Sequence, residues 1–345
     1  MTLRKRIKVL VVDDSLLFRE VIARGIAADS SIEVVGTASD PFMARDKIIE
    51  YEPDVLTLDV EMPKMNGIEF LKRLMPQYPI PVVVVSAVSS NVFDALNAGA
   101  VDFAVKPNSK SEIAVNNFIN ELIIKLKIAS TAKLGSLKAD LRANNSYEKP
   151  AINKKNVIIA IGASTGGTEA IFSIIKSFPI DIPGTVIVQH MPPVFTRMYA
   201  ERLNNSCIVN VKEAKDGDRV LPGTVLIAPG EYHMRLKKSG DGYFVECFKG
   251  EKVNGHCPSV DVLFESVAEK AGKNSIGIIL TGMGYDGARG LLSMKRRGAI
   301  TIGQDEGSSI VYGMPKVAYD LGAVKNQEPL DQIPNALYSI LGDRL

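Results

Sequence analysis

Tryptophan is absent from this sequence, and cysteine and histidine each occur only three times. The odd trio Cys207, Cys247 and Cys257 shows no CxxC spacing. That excludes a disulfide framework and a cysteine-based zinc site. With only His190, His233 and His256 present, acid–base chemistry near neutral pH has few candidates. Long apolar runs are missing too. Stretches such as Pro81–Val85 and Ile276–Leu280 are strand-length, far short of the ~20 residues of a membrane helix, so no membrane insertion is expected. A basic start (Arg4, Lys5, Arg6, Lys8) precedes an apolar run that Asp13 and Asp14 break too early for a secretory signal. The expected compartment is the cytoplasm. The net charge of +2 is concentrated in residues 126–155, which hold 7 Lys/Arg against 2 Asp/Glu. Without a domain-wide basic face, nucleic acid is not an expected partner.

A chain of 345 residues with 46% hydrophobic and 23% charged content reads as an ordinary globular protein of two domains. Over residues 1–125, strand patterns at Ile7–Val12, Glu33–Ala38, Val55–Leu58, Pro81–Val85 and Asp102–Val105 alternate with helical ones. The last helix runs from Ser111 to about Ala129, with an apolar stripe of Ile113, Phe118, Ile119, Leu122, Ile123 and Leu126. Such alternation predicts a parallel sheet covered by helices on both faces. Periodicity then fades, and 126–154 reads as a helix end followed by a flexible linker. From 155 to 345 the α/β alternation resumes, with strands ending near Ile161, Gln189, Ala228, Leu280 and Gly303. Met234–Lys237 and Tyr243–Phe248, around Ser-Gly-Asp-Gly, predict an antiparallel hairpin. The fold class is α/β in both halves, the second doubly wound.

In the first half, Asp13 and Asp14 follow the first strand and Asp59 ends the third, with Ser86 and Lys106 after the fourth and fifth. Open parallel sheets bind ligands at this edge. Three converging carboxylates need a cation between them, and an octahedral Mg²⁺ suits them. A carboxylate beside such an ion, with an ammonium and a hydroxyl opposite, can accept a phosphoryl group. Acids at strand ends can also simply cap helices, a sufficient reading for Asp14 or Ser15 alone but a poor one for the whole set.

In the second half, the apolar strand Val157–Ile161 runs into Gly162-Ala-Ser-Thr-Gly-Gly167, and Ile171, Ile174, Ile175 and Phe178 follow at helical spacing. Ser164 therefore stands at a strand-to-helix turn, where a nucleophilic hydroxyl is presented. His190 follows the strand Thr185–Gln189 and is the expected base. Asp286, in a glycine-rich loop past another buried strand, is the candidate to orient it, and backbone amides there could serve an oxyanion. His233 and His256 lie by turns or hairpins and read as structural. The order Ser164, His190, Asp286 differs from the Ser…Asp…His order of α/β-hydrolases. The glycine turn matches neither GxGxxG nor a P-loop.

Two family resemblances follow. Val11-Val-Asp-Asp-Ser15, Leu58-Asp-Val-Glu-Met-Pro-Lys-Met-Asn-Gly67, Ser86-Ala87 and Lys106-Pro107 resemble the receiver domain of response regulators, with its flavodoxin-like (βα)5 fold, over about residues 5–125. The resemblance implies Asp59 as phospho-acceptor, Asp13, Asp14, Asp59 and the Glu61 backbone carbonyl as Mg²⁺ ligands, Ser86 and Lys106 as phosphoryl supports, and Phe103 as the aromatic switch residue. Ile161-Gly-Ala-Ser-Thr-Gly-Gly-Thr-Glu-Ala170, Gln189-His-Met-Pro-Pro-Val-Phe-Thr196, Ala228-Pro-Gly, Pro258-Ser-Val-Asp-Val-Leu-Phe264, Leu280-Thr-Gly-Met-Gly-Tyr-Asp-Gly-Ala288 and Tyr312-Gly-Met-Pro315 resemble the chemotaxis protein-glutamate methylesterase (CheB) family. This implies a catalytic Ser164, His190 and Asp286, with Thr165 and Met283 at the active site and no metal in the ester chemistry. It also implies methyl-accepting chemotaxis receptors as substrates, deamidation of their glutamines and a chemotaxis histidine kinase as phosphodonor. With a linker between the halves, the expectation is a receiver that packs over the catalytic edge until Asp59 is phosphorylated. Cys257 stands where the family pattern leads one to expect Arg. Two rivals remain on the residues alone: a response regulator whose second domain only binds a partner, and an acyl hydrolase of small esters or peptides.

Overall fold

The structure is a computed structural model that describes residues 5–63, 65–87, 91–109, 111–134, 157–240 and 242–342. The expected linker beyond 134 lies outside the described residues. The chain divides into two compact units, Met1–Gly135 and Ser136–Leu345.

In the first unit β1 (Ile7–Val12), β2 (Ile32–Ala38), β3 (Val55–Asp59), β4 (Val82–Ser86) and β5 (Asp102–Val105) alternate with α1 (Leu16–Ala27), α2 (Pro41–Tyr51), α3 (Gly67–Gln77), α4 (Val92–Asn97) and α5 (Glu112–Ala129). All strand pairs are parallel, in the order β2-β1-β3-β4-β5. The central strands β3 and β4 are buried throughout, which matches their unbroken apolar runs. Helix starts follow side-chain caps. Ser15 accepts from the Phe18 N–H, Asp40 from Phe42 and Met43 with Pro41 at the first turn, and Ser111 from Ala114. The expected stripe on α5 is only partly a core stripe. Phe118, Ile119, Leu122 and Leu126 are buried, but Ile113 is 75% exposed: at about 100° per residue it lies roughly 180° around the helix from Leu122, on the opposite face.

In the second unit the strands are β6 (Ile158–Ala163), β7 (Gly184–Gln189), β8 (Asn210–Glu213), β9 (Thr224–Ile227), β10 (His233–Ser239), β11 (Gly242–Phe248), β12 (Ser275–Ile279), β13 (Ile300–Gln304) and β14 (Asn326–Glu328). The helices are α6 (Gly167–Ile175), α7 (Phe195–Ser206), α8 (Val260–Lys270), α9 (Ala288–Arg296), α10 (Met314–Asp320) and α11 (Ile333–Gly342). Seven strands form one parallel sheet, β14-β13-β12-β6-β7-β9-β8, and β10 pairs antiparallel with β11 as expected. The edge strands β8 and β14 are short and mostly polar, Asn-Val-Lys-Glu and Asn-Gln-Glu, and Val211 is the buried residue among them.

The chain winds from β6 outward through β7 and returns to add β12 on the other side of β6. The strand order therefore reverses at β6, the point at which open α/β sheets open a crevice for ligands. Close packing fixes this centre. A side-chain carbon at Gly162 would run into Val260 and one at Gly277 into Leu291 and Met294, so β6 and β12 lie directly against α8 and α9. Among the described residues no helix is long and apolar enough to cross a membrane.

Candidate active site and acidic cluster

Register brings the second unit's site together. Ala163 of β6 lies opposite Gln189 of β7, so Ser164 and His190 are the next residues on adjacent strands. The His190 N–H donates to the Ala163 carbonyl (3.1 Å), and the Ser164 N–H donates across to Thr281, just past β12 (3.0 Å). Ser164 is thus held from both sides. Gln189 Nε2 donates to the Ser164 carbonyl (2.9 Å), and so does the Gly167 N–H (2.7 Å), which tightens the turn into α6. Gly166 in that turn has φ 77°, a conformation that L side chains resist. Gly282 is needed for space, since a Cβ there would sit 2.7 Å from Ser164 Cβ and 2.5 Å from Met314 Sδ.

The expected partners meet. His190 Nε2 lies 2.8 Å from Asp286 Oδ2, with both side chains buried. His190 Nδ1 is buried and makes no hydrogen bond, so it is the ring nitrogen that could accept from a hydroxyl. Catalytic hydrogen bonds often close only when substrate is bound.

Asp286 is held by more than the sequence suggested. The N-cap Ser259 donates its hydroxyl to Oδ1 (2.8 Å), the Val260 N–H donates to Oδ2 (2.7 Å), the Asp261 N–H to Oδ1 (3.2 Å), and Asn254 Nδ2 to Oδ1 (2.8 Å). The carboxylate therefore sits at the N-terminus of α8, where free N–H groups and the helix dipole favour negative charge. Burial by itself would raise its pKa; the hydrogen bonds from His190, Asn254 and Val260 outweigh that and hold it well below the usual carboxylate range. Asn254 also bonds Asp261 Oδ2 (2.7 Å), a second buried carboxyl whose pKa burial raises.

His256, read from the sequence as structural, packs its ring on His190. Its ring lies parallel to that of His190, with centroids 3.7 Å apart and planes 8° apart. Burial, and then the neighbouring His190, lower its pKa from 6.5 to about 4. His233, by contrast, is the satisfied structural histidine expected. Its Nε2 bonds the Glu251 carbonyl (2.8 Å) and its Nδ1 accepts from the Ser259 N–H (3.3 Å). Thr165 is buried and its carbonyl accepts from the Thr281 hydroxyl (3.0 Å), whereas Met283 is 49% exposed. Cys257 bonds the Glu231 N–H through its carbonyl (3.2 Å), and its thiol is free. Asn254, Ser259, Asp261 and His256 were not singled out as site residues; the Asn254-Gly255 turn signal and the Pro258-Ser-Val-Asp261 motif were the cues in the sequence that could have drawn attention to them.

In the first unit, oxygens of Asp13, Asp14 and Asp59 lie within 4.8 Å of one another. Lys106 Nζ lies 2.8 Å from Asp13 Oδ2 and 2.6 Å from Asp59 Oδ2, nearly buried. Burial would lower the Lys106 pKa, but the two carboxylates outweigh it and raise it; Asp13 is raised, chiefly by burial. Ser86 is buried at the end of β4, paired in register with Val105, and its carbonyl accepts the Lys106 N–H (3.0 Å). Phe103 is buried, with Lys125 Nζ 5.0 Å from its ring centre. The Glu61 N–H donates to Asp59 Oδ1 (3.2 Å). An all-oxygen donor set of this size fits a small, hard divalent cation.

Fold and sites together define a class: a phospho-acceptor type α/β unit joined to a serine-hydrolase type α/β unit. The comparisons agree with this division. Residues 9–116 match the response regulator receiver domain and residues 159–337 the CheB methylesterase domain. The chain is 64% identical over 340 residues, 98% of each sequence, to protein-glutamate methylesterase/protein-glutamine glutaminase 2 of Syntrophomonas wolfei subsp. wolfei. It is 47% identical to the protein-glutamate methylesterase/protein-glutamine glutaminase of Escherichia coli K12, across 95% of both. The crystal structure of the Thermotoga maritima CheB methylesterase catalytic domain superposes with a TM-score of 0.53 at 39% identity, covering 54% of this chain and 98% of that one. The chain belongs to the CheB methylesterase family, with a receiver domain at its N-terminal end.

Proposed function

We propose that this protein is a phosphorylation-activated esterase that removes methyl esters from glutamyl side chains of chemotaxis receptors. The observation that carries the reading is the 2.8 Å His190–Asp286 pair beside Ser164 at the switch point of the sheet. Ser164 Oγ attacks the ester carbonyl carbon while His190 Nδ1 takes its proton. Asp286 holds the imidazole through Nε2 and stabilises the imidazolium. Backbone amides at Thr165 and Met283 receive the oxyanion. His190 returns the proton to the leaving methoxide, and methanol departs. Water, activated by the same imidazole, then hydrolyses the acyl-enzyme to glutamate. A glutamine carboxamide enters the same cycle with ammonia as leaving group, in keeping with the double name of the relatives.

In the receiver, Asp59 accepts a phosphoryl group from a chemotaxis histidine kinase, with Ser86 and Lys106 holding its oxygens and Phe103 responding to the occupied site. Asp13, Asp14, Asp59 and the Glu61 carbonyl would hold Mg²⁺, which when bound neutralises charge on the phosphoryl oxygens. The unphosphorylated receiver restrains the esterase. The domain division that goes with this is a receiver over 1–125, a linker through 154 and a catalytic domain from 155.

Methanol release from methylated receptor, with and without a small-molecule phosphodonor, tests the reading. Release should depend on Ser164 and His190 and rise with phosphodonor. A truncated chain beginning near Lys155 should outpace the intact unphosphorylated protein; equal rates would remove the restraint from the account. Undiminished hydrolysis by Ser164→Ala would sink the esterase mechanism.

A further inference from the structure

Asn254 and Gly255 form the tip of a tight turn. Both have positive φ, 53° and 84°, as a type I′ turn requires, and Asn-Gly is its favoured sequence. Val253 and His256 close it with two backbone hydrogen bonds, 3.0 and 2.9 Å. From this one turn, two side chains reach the catalytic pair. The two hydrogens of the Asn254 amide are divided between Asp261 Oδ2 (2.7 Å) and Asp286 Oδ1 (2.8 Å). The His256 ring lies flat against His190.

A single hydrogen bond at Nε2 fixes one point of the His190 ring and leaves its plane free to swing. The terminal torsion of histidine is broad, so the side chain itself defines the plane poorly. No hydrogen bond holds Nδ1. A parallel ring 3.7 Å away restricts that swing. We propose that the Asn254-Gly255 turn is a positioning device for catalysis, in which Asn254 pins Asp286 while the stacked His256 ring sets the plane of His190 and so aims Nδ1 at Ser164. His256 suits this task because it is neutral near pH 7 and adds no charge beside the base. The titratable groups acting on it are His190, Asp286 and Lys252. Neither Asn254 nor His256 exchanges a proton with substrate in this scheme.

The inference rests on the esterase reading, so its test uses a probe of the nucleophile that needs no receptor. A fluorophosphonate reports how strongly Ser164 is activated in the full-length protein, with the maximal labelling rate (kinact) separated from probe binding (KI). His256→Leu keeps volume but removes the plane, and should lower kinact about tenfold with KI within about twofold, in line with the cost of sub-ångström misplacement. His256→Phe restores a planar ring and should keep kinact within about threefold of wild type. Asn254→Ala should also lower kinact about tenfold, and Asn254→Ala with His256→Leu should lose far less than the product of the two, because both act on one unit. Thermal unfolding and the fraction folded are measured alongside. A wild-type kinact in His256→Leu, equal damage from Phe and Leu, a change in KI alone, fully multiplicative losses, or losses that match the unfolded fraction would each overturn the proposal. If wild-type Ser164 does not label at all, the esterase reading falls and this inference falls with it. A labelled wild type with an indifferent His256→Leu overturns this inference alone.

Discussion

Asp59 and Asp286 are both buried at the carboxyl edge of a parallel sheet, and their surroundings could hardly differ more. Asp59 has two other carboxylates within 4.8 Å and shares one ammonium with Asp13. Its negative charge exceeds its local compensation, so the cluster is suited to take up a cation and then a phosphoryl group. Asp286 has every lone pair engaged by His190, Asn254, Ser259 and the start of α8. It has no capacity left for a metal or a substrate. In the proposed function the first arrangement changes charge as part of its work, and the second keeps its charge and geometry constant while a neighbour reacts. An acid residue at a strand end thus becomes an acceptor or an orienter according to how completely the surrounding donors satisfy it.

The largest effect expected from breaking this contrast is at Asp286. Asp286→Asn places an amide against donors that need an acceptor, and should cut Ser164 labelling by about 10⁴-fold, as loss of an orienting carboxylate does in other triads. At Asp59 the equivalent Asp59→Asn should act on regulation, removing the ratio of methanol release with and without phosphodonor rather than the chemistry. Gly282→Ala would push a methyl against Ser164 Cβ and Met314. It should cost about 100-fold in labelling rate, since it shifts the nucleophile without altering the carboxylate. Lys106→Met should leave Asp13 and Asp59 uncompensated and destabilise the receiver by about 3 kcal/mol, measured by urea unfolding. Added Mg²⁺ should recover part of that loss, whereas Mg²⁺ should do nothing for any change around Asp286.

The smallest effect is a pH dependence. His256 titrates at about 4 in the fold against an ordinary 6.5. Between those values the unfolded chain binds more protons, so stability is full above about pH 6.5 and declines as pH falls toward 4. His256→Phe should flatten that part of the stability profile, as read from unfolding midpoints at pH 7.5 and 5.

Much of this was legible in the sequence, for identifiable reasons. Buried parallel strands are continuous apolar runs, so β3, β4, β6 and β12 could be seen, and the residues that end or shortly follow them, Asp59, Ser86, Ser164 and Asp286, could be placed on sheet edges. Register then did the rest for Ser164 and His190. The residues that escaped notice come from segments without periodicity. Nothing in the spacing of Asn254, His256 and Ser259 says that a turn and a helix N-terminus converge on a carboxylate 27 to 32 positions later. The edge strands β8 and β14 are too short and polar to show a period, and their parallel pairing is seen only in the fold. Ile113 was misjudged as part of the stripe because it is apolar but lies about 180° around the helix from Leu122, away from the buried face.

The imidazole of His190 uses its outer nitrogen for Asp286, leaving the nitrogen beside its own Cβ for the serine. On the proposed mechanism, proton traffic would pass through the part of the ring nearest the main chain, which moves least when the side chain turns. Mechanism-directed alkylating agents that bond to the serine-facing nitrogen of a triad histidine should accordingly tag Nδ1 in this enzyme. The distinction can be seen directly in the fragmentation and NMR spectra of the modified peptide, and it would mark an esterase whose inhibitors need a shorter reach from the acyl carbon to the base.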